Sequence, residues 1–188
     1  MNHIEIEYKT LLTPNQYQQL LPLFDGIQPV QQTNYYFDSP TSHMKKAQMA
    51  LRIRTYEDWA ELTLKVPQAG SIGNLEINQT LTLVEVENIL SGQTLPAGKI
   101  TDLLLKKSIP IQELASLGSL TTVRLERRHL LGLMALDKSH YFDQTDYELE
   151  VEVADEVTGK LAFSQFLEEY GISYQQAPSK LARFAKNL

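Results

Sequence analysis

The chain contains no cysteine. That absence excludes a disulfide framework, a thiolate metal site and a cysteine nucleophile, and it leaves any metal to oxygen or imidazole ligands. Histidine is scarce too: His3, His43, His129 and His140 are the whole supply and lack a metal-binding helical spacing, which favours oxygen. No apolar run approaches the roughly 20 residues of a membrane helix, and the start MNHIEIEY lacks the basic and apolar regions of a signal peptide. No membrane partner and a cytoplasmic location are the resulting expectations. Positive charge is in the minority, 17 Lys and Arg against 23 Asp and Glu, for a formal net charge of -6 and a pI near 5.2. Nonspecific nucleic-acid binding is driven by an overall basic surface, so no nucleic-acid partner is expected. There is no Gly-x-Ser-x-Gly elbow for serine hydrolase chemistry, and no internal repeat, low-complexity tract or linker. With 188 residues, 43% hydrophobic and 21% charged, one domain over 1–188 is the expected organisation. Oligomeric state stays open between monomer and homodimer.

What is present is charge in alternation. Glu5, Glu7 and Lys9 share one face of a strand whose other face carries Ile4, Ile6 and Tyr8. Arg52 and Arg54 alternate with Leu51 and Ile53, and Lys65 follows Leu62 and Leu64. Arg124, Glu126 and Arg128 interleave with Val123 and Leu125, and Glu148, Glu150 and Glu152 with Leu149, Val151 and Val153. Side chains two apart on a strand point the same way, about 6.5 to 7 Å apart. An ordinary solvated sheet would account for one or two such stripes. Acid-rich and base-rich stripes repeated along the chain point instead to a closed sheet whose polar interior holds a polyanion together with metal ions.

The spacing predicts a helix over 13–24, opened by Thr13 and Pro14. Strands follow at 30–37, 50–56, 59–66 and 75–83, with Glu57 and Asp58 at a hairpin turn and a Gly- and Ser-containing loop over 67–74. The stretch 84–117 reads as mostly helical, with Ile111, Leu114 and Leu117 in its second segment. Strands return at 120–131, 133–138 and 146–154, with Gly132 marking a turn, and helices close the chain at 158–170 and 179–185. The expected fold is α+β: an eight-stranded antiparallel closed β-barrel, a tunnel, with helices packed outside on the apolar alternates.

Glu5, Glu7, Glu148, Glu150 and Glu152 form carboxylate groups far apart in sequence. Like charges brought together repel unless a cation sits between them, so their meeting would predict a divalent ion, Mg2+ or Mn2+. Lys9, Arg52, Arg54, Lys65, Arg124 and Lys180 are candidate phosphate ligands; arginine grips phosphate with a planar fork and lysine as a point charge. Arg128 and Arg183 are weaker candidates, and Arg127 faces away from Arg124. The loop from Gly92 to Lys99 fails as a P-loop because Ile100 stands where Ser or Thr should bind magnesium. Asp137 to Glu148 has the length of a calcium loop, but Tyr141 and Phe142 occupy places that need a ligand and a glycine. Tyr35, Tyr36 and Trp59 read as packing residues.

Taken in order, Glu5-x-Glu7-x-Lys9, Arg52-Ile53-Arg54, Leu64-Lys65, the Arg124 strand, Asp137, Glu148-Leu149-Glu150 and Pro178-Ser179-Lys180-Leu181 make a set that resembles a CYTH domain. That domain belongs to the triphosphate tunnel metalloenzyme superfamily, with class IV adenylate cyclases and thiamine triphosphatases. The match runs nearly end to end, on the side of the small bacterial single-domain branch. The resemblance implies a tunnel that binds a triphosphate-containing small molecule. Glu5, Glu7, Asp137, Glu148 and Glu150 are its implied ligands for Mg2+ or Mn2+, and Lys9, Arg52, Arg54, Lys65, Arg124 and Lys180 its implied substrate-binding residues. Glu5, Glu7, Lys9 and Glu150 are the implied catalytic residues. One departure stands out: family members often carry a second Glu-x-Glu after the Lys65 strand, where this chain has Glu76 and Asn78. The expected activity is metal-dependent hydrolysis of a triphosphate, with an adenylate cyclase or a non-catalytic polyphosphate or nucleotide binder as alternatives.

Overall fold

A computed structural model of the chain describes residues 2–70 and 73–188, so residues 71 and 72 of the expected 67–74 loop lie outside the described residues. Contacts divide the chain into two compact units. One comprises the stretch up to Ile4 with Gln32–Leu120 and Leu188, the other Glu5–Gln31 and Thr121–Asn187.

In the first unit, β4 (Ala50–Thr55), β5 (Ala60–Pro67) and β6 (Asn74–Leu81) form an antiparallel meander, and β3 (Val30–Asp38) pairs with β4. The alternation of the sequence becomes two faces. Leu51, Ile53, Leu62, Leu64 and Ile77 are buried with Val86 and Ile89 of α3 (Leu83–Leu90) and Ile100 and Leu104 of α4 (Lys99–Lys106). Arg52, Thr63 and Asn78 align across the other face, as do Lys65 and Glu76. Helix α3 starts where Thr82 accepts the Glu85 amide and Glu85 returns a carboxylate to Thr82 N, 2.7 Å away, a reciprocal cap that satisfies two otherwise unpaired amides. A short helix, α2 (His43–Lys46), sits between β3 and β4 and is held by buried Asp38, which accepts the amides of Met44 and Lys45.

In the second unit, β2 (Glu7–Leu12), β9 (Gln144–Glu152), β8 (Gly132–Tyr141) and β7 (Ala115–His129) are antiparallel neighbours in that order. Met134, Leu136, Leu149 and Val151 are fully buried against Leu20 of α1 (Pro14–Leu20) and Phe163, Phe166 and Leu167 of α5 (Glu156–Glu169). The alternate positions carry Glu148, Glu150 and Glu152 on β9 and Ala135 and Asp137 on β8. The predicted first helix is real, with Thr13 and Gln16 capping each other, but it keeps α geometry only to Leu20 and tightens to a 3-10 turn over Leu21–Phe24 at Pro22. Proline lacks the N–H that an α-helical turn would need there. The last two helices start on side-chain caps: Asp155 accepts the Thr158 amide at 2.8 Å for α5, and Ser179 accepts that of Ala182 at 3.1 Å for α6 (Lys180–Ala185).

Two expectations are corrected. The sheet has nine strands among the described residues, including β1 (Asn2–Glu5), in the order β1-β6-β5-β4-β3-β7-β8-β9-β2. The order has two ends, so hydrogen bonds do not close it into the expected eight-stranded barrel. The added strand comes from a break at Ile6, where the first charged stretch ends β1 and begins β2, and the Ile6 carbonyl accepts from Val153 N at 2.8 Å. The second correction concerns 111–117. Only Ile111–Glu113 is helical, as a 3-10 turn, and β7 starts at Ala115. Gly118, at φ 132, lies outside helical geometry, and the Ser- and Gly-bearing stretch around it has little helix propensity.

Candidate active site

The site is built from one face of the second unit. On β9 the residues Asp146, Glu148 and Glu150 alternate with Tyr147 and Leu149. Antiparallel register sets Glu148 opposite Asp137 on β8, and Asp137 opposite Arg124 on β7. On the other side of β9, Glu150 stands opposite Lys9 and Glu152 opposite Glu7. Residues paired this way project to the same side of a sheet, so the strand ladder alone lines up an acid, an acid and a guanidinium.

Asp137 is the centre of the charge network and is fully buried. Its carboxylate takes a two-pronged grip from Arg124, Nε to Oδ1 at 2.8 Å and Nη2 to Oδ2 at 2.7 Å. The Lys180 ammonium also reaches Asp137 Oδ2, at 2.8 Å, then Glu148 Oε1 at 2.5 Å and Glu150 Oε2 at 3.7 Å. Arg124 Nη2 lies 3.3 Å from Glu150 Oε1. Arg183, one helical turn after Lys180 on α6, donates from Nη1 to Glu148 Oε2 at 2.7 Å. Lys9 pairs with Glu7 on its own strand.

Burial and charge compete at each of these groups. Burial pushes the Asp137 carboxyl up, but Lys180 and Arg124 outweigh it and hold the group below the usual aspartate value. Burial works against the Lys180 ammonium, and Asp137, Glu148 and Glu150 reverse that and raise it well above an ordinary lysine. Lys9 follows the same logic, its desolvation overcome by Glu7, Glu150 and Glu148. Asp137, Lys180 and Lys9 therefore stay charged near neutral pH.

Asp137, Glu148 and Glu150 each offer a carboxylate oxygen, and these oxygens lie within 4.8 Å of one another. A hard, all-oxygen donor set of this kind suits Mg2+ or Mn2+. Of the sequence-predicted residues, the structure thus gathers Arg124, Asp137, Glu148, Glu150 and Lys180, with Lys9 and Glu7 opposite β9. Glu5, partly buried just before the Ile6 break, is outside the three-carboxylate group.

Arg52, Arg54 and Lys65 belong to the first unit and form a face of their own. Lys65 pairs with Glu76 at 2.6 Å, and Arg54 Nε donates to Asn34 Oδ1 at 2.9 Å. Arg52 Nε is buried without a hydrogen-bond partner among the described residues, an arrangement that costs free energy unless a ligand supplies an acceptor. Asn78, the departure from the family pattern, shares its cross-strand row with Thr63 and Arg52. Arg127 turns away from Arg124, as expected, and donates to the Leu23 carbonyl. Trp59 stacks on Tyr56 with ring centroids 4.3 Å apart.

Arg183, a weaker candidate by sequence, and Asp146, outside the predicted site residues, both join this network. Both carried a signal: Asp146 continues the Glu148, Glu150 alternation, and Arg183 follows Lys180 at the three-residue spacing that shares a helix face.

The CYTH domain family model matches residues 3–185. The chain belongs to the CYTH family. Among CYTH relatives, YjbK of Bacillus subtilis strain 168, described as a candidate triphosphatase, is 36% identical over 96% of this chain and 94% of its own length. A solved structure from Bacillus halodurans, described as a candidate adenylate cyclase, is 35% identical with a TM-score of 0.90 over 97% of this chain and 98% of the other. HpAC1 from Hippeastrum, a candidate adenylyl cyclase described as revealing a dominant triphosphatase activity, is 25% identical with a TM-score of 0.83, covering 100% of this chain and 96% of its own. The fold described above is thus shared with both of these solved structures.

Proposed function

We propose that the protein is a divalent-metal-dependent triphosphatase that hydrolyses inorganic tripolyphosphate or a nucleoside or other organic triphosphate. The observation that carries the reading is the meeting of Asp137, Glu148 and Glu150 within 4.8 Å, in contact with Arg124 and Lys180. Relatives described as triphosphatases support it. Asp137, Glu148 and Glu150, with Glu5 and Glu7, would hold Mg2+ or Mn2+, which when bound polarises phosphoryl oxygens and lowers the pKa of water.

The chain's own residues do the rest. Arg124 and Lys180 stay cationic because carboxylates surround them, so they neutralise phosphate charge as it spreads over the oxygens in the transition state. Lys9 adds a third fixed positive charge. Arg52, Arg54 and Lys65 are assigned to phosphate by the family resemblance, and the unsatisfied Arg52 Nε is a donor available for that role. Glu5, Glu7 and Glu150 orient the attacking water, and one of these carboxylates takes the single proton it loses as the bond to phosphorus forms. The whole of 1–188 works as one domain, in the cytoplasm, with a small-molecule partner.

Orthophosphate release from a panel of triphosphates, with Mg2+ and with Mn2+, tests the proposal. Glu5→Gln and Glu150→Gln should each depress turnover under both metals, and unchanged activity in either variant would reject the role given to that residue. The Bacillus halodurans structure, described as a candidate adenylate cyclase, favours one second reading, in which a ribose hydroxyl replaces water. Product analysis separates the two: orthophosphate from tripolyphosphate, or cyclic AMP and pyrophosphate from ATP.

A further inference from the structure

Arg183 is more deeply buried than either Lys180 or Arg124, with a side chain 7% exposed against 13% and 14%. Its contacts differ in kind from theirs. Lys180 and Arg124 each touch two or more of the metal-suited carboxylates, whereas Arg183 touches only Glu148, and only at Oε2. The other Glu148 oxygen, Oε1, is the one that shares Lys180 with Asp137. Arg183 is itself anchored from behind. Its Nη1 also donates to the Pro178 carbonyl at 3.0 Å, and its Nε lies 3.1 Å from Asp146 Oδ2, an ion-pair contact without hydrogen-bond alignment. Asp146 is fixed in turn by the Tyr141 hydroxyl, which donates to the same oxygen at 2.5 Å.

We propose that Arg183 is a positioning residue for the carboxylate group, holding Glu148 by one oxygen so that the other stays directed at Asp137, with Asp146 and Tyr141 locking Arg183 in place. The inference rests on the metal-site reading above. A cation entering among Asp137, Glu148 and Glu150 competes with Lys180 and Arg124 for the same oxygens. Arg183 holds an oxygen outside that competition and keeps Glu148 oriented with or without metal. Such outer partners typically set metal affinity by about 10- to 100-fold. Lysine cannot replace arginine here, because one ammonium does not span Asp146, Glu148 and the Pro178 carbonyl as a planar guanidinium does.

The test is direct Mn2+ binding without substrate, read from the electron paramagnetic resonance signal of free Mn2+. Wild-type protein should bind; R183M should bind about 10- to 100-fold more weakly, R183K should also weaken, and D146N should weaken by a smaller factor. Turnover of R183M should recover at high Mn2+, which a merely unfolded or distorted protein would not show. If R183M does not fold, R183K and D146N decide the matter. Wild-type binding with an unchanged dissociation constant in R183K would overturn this inference and leave the metal site standing. Wild-type protein that takes up no Mn2+ would overturn the metal site and this inference with it.

Discussion

At the scale of single residues, the site is an exercise in compensation. Lys180 neutralises buried Asp137 and Glu148 at once, so replacing it leaves two carboxylates short of charge while Arg124 and Arg183 remain. Breaking a buried pair costs 3 to 5 kcal/mol in other proteins, and the surviving arginines put K180M at the low end, about 3 kcal/mol by urea unfolding of the metal-free protein. Saturating Mn2+ should restore part of that loss, since a cation then occupies the same carboxylates. Tyr141 offers a pH prediction. Burial and the hydrogen bond to Asp146 push its phenol up to about 12. A group raised in the folded state stabilises below its unfolded pKa of about 10 and loses that contribution as pH climbs through the folded value. Phenolate absorbance of wild type and Y141F should therefore rise together to about pH 11 and diverge only above it; divergence near pH 10 would contradict the Tyr141–Asp146 bond.

Within elements, two closely packed glycines set the strand and helix packing. A Cβ on Gly132 would lie 2.0 Å from the Glu152 carbonyl oxygen, and the residue sits at φ 141. G132A should lower thermal stability sharply by pushing β9 away from β8, the ladder that aligns Glu148 with Asp137. A Cβ on Gly159 meets Val153 at 2.6 Å, so G159A should cost about 1 to 3 kcal/mol by overpacking, although alanine usually improves a helix interior. Much of this level was legible in the sequence. Alternation gave the strands and their charged faces, Gly132 marked its turn, and Thr13, Pro14 and Ser179 marked helix starts. The early start of β7 was hidden because Ile111, Leu114 and Leu117 repeat at a helical interval. The break at Ile6 was hidden because no glycine or proline announces it; it is made by pairing partners distant in sequence.

For the molecule as a whole, each unit turns one sheet face to its helices and keeps charge on the other, and the family to which the chain belongs could be seen from the ordered charged motifs alone. What alternation cannot give is register across strands. That Arg124, Asp137 and Glu148 form one row depends on hairpin geometry, and that Arg183 meets Glu148 depends on where α6 docks, a matter of packing between segments 35 residues apart. The expectation of closure failed for the same reason, since a count of strands says nothing of which edges bond. The central claim is that the carboxylates of β8 and β9, with the cations beside them, hold a metal ion and a triphosphate. Orthophosphate release from tripolyphosphate, measured in Mn2+ and in EDTA for wild type and D137N, tests it most directly. The account predicts turnover by wild type only with Mn2+ and a loss of at least about 10-fold in D137N; equal turnover by both proteins, or turnover that survives EDTA, would contradict it.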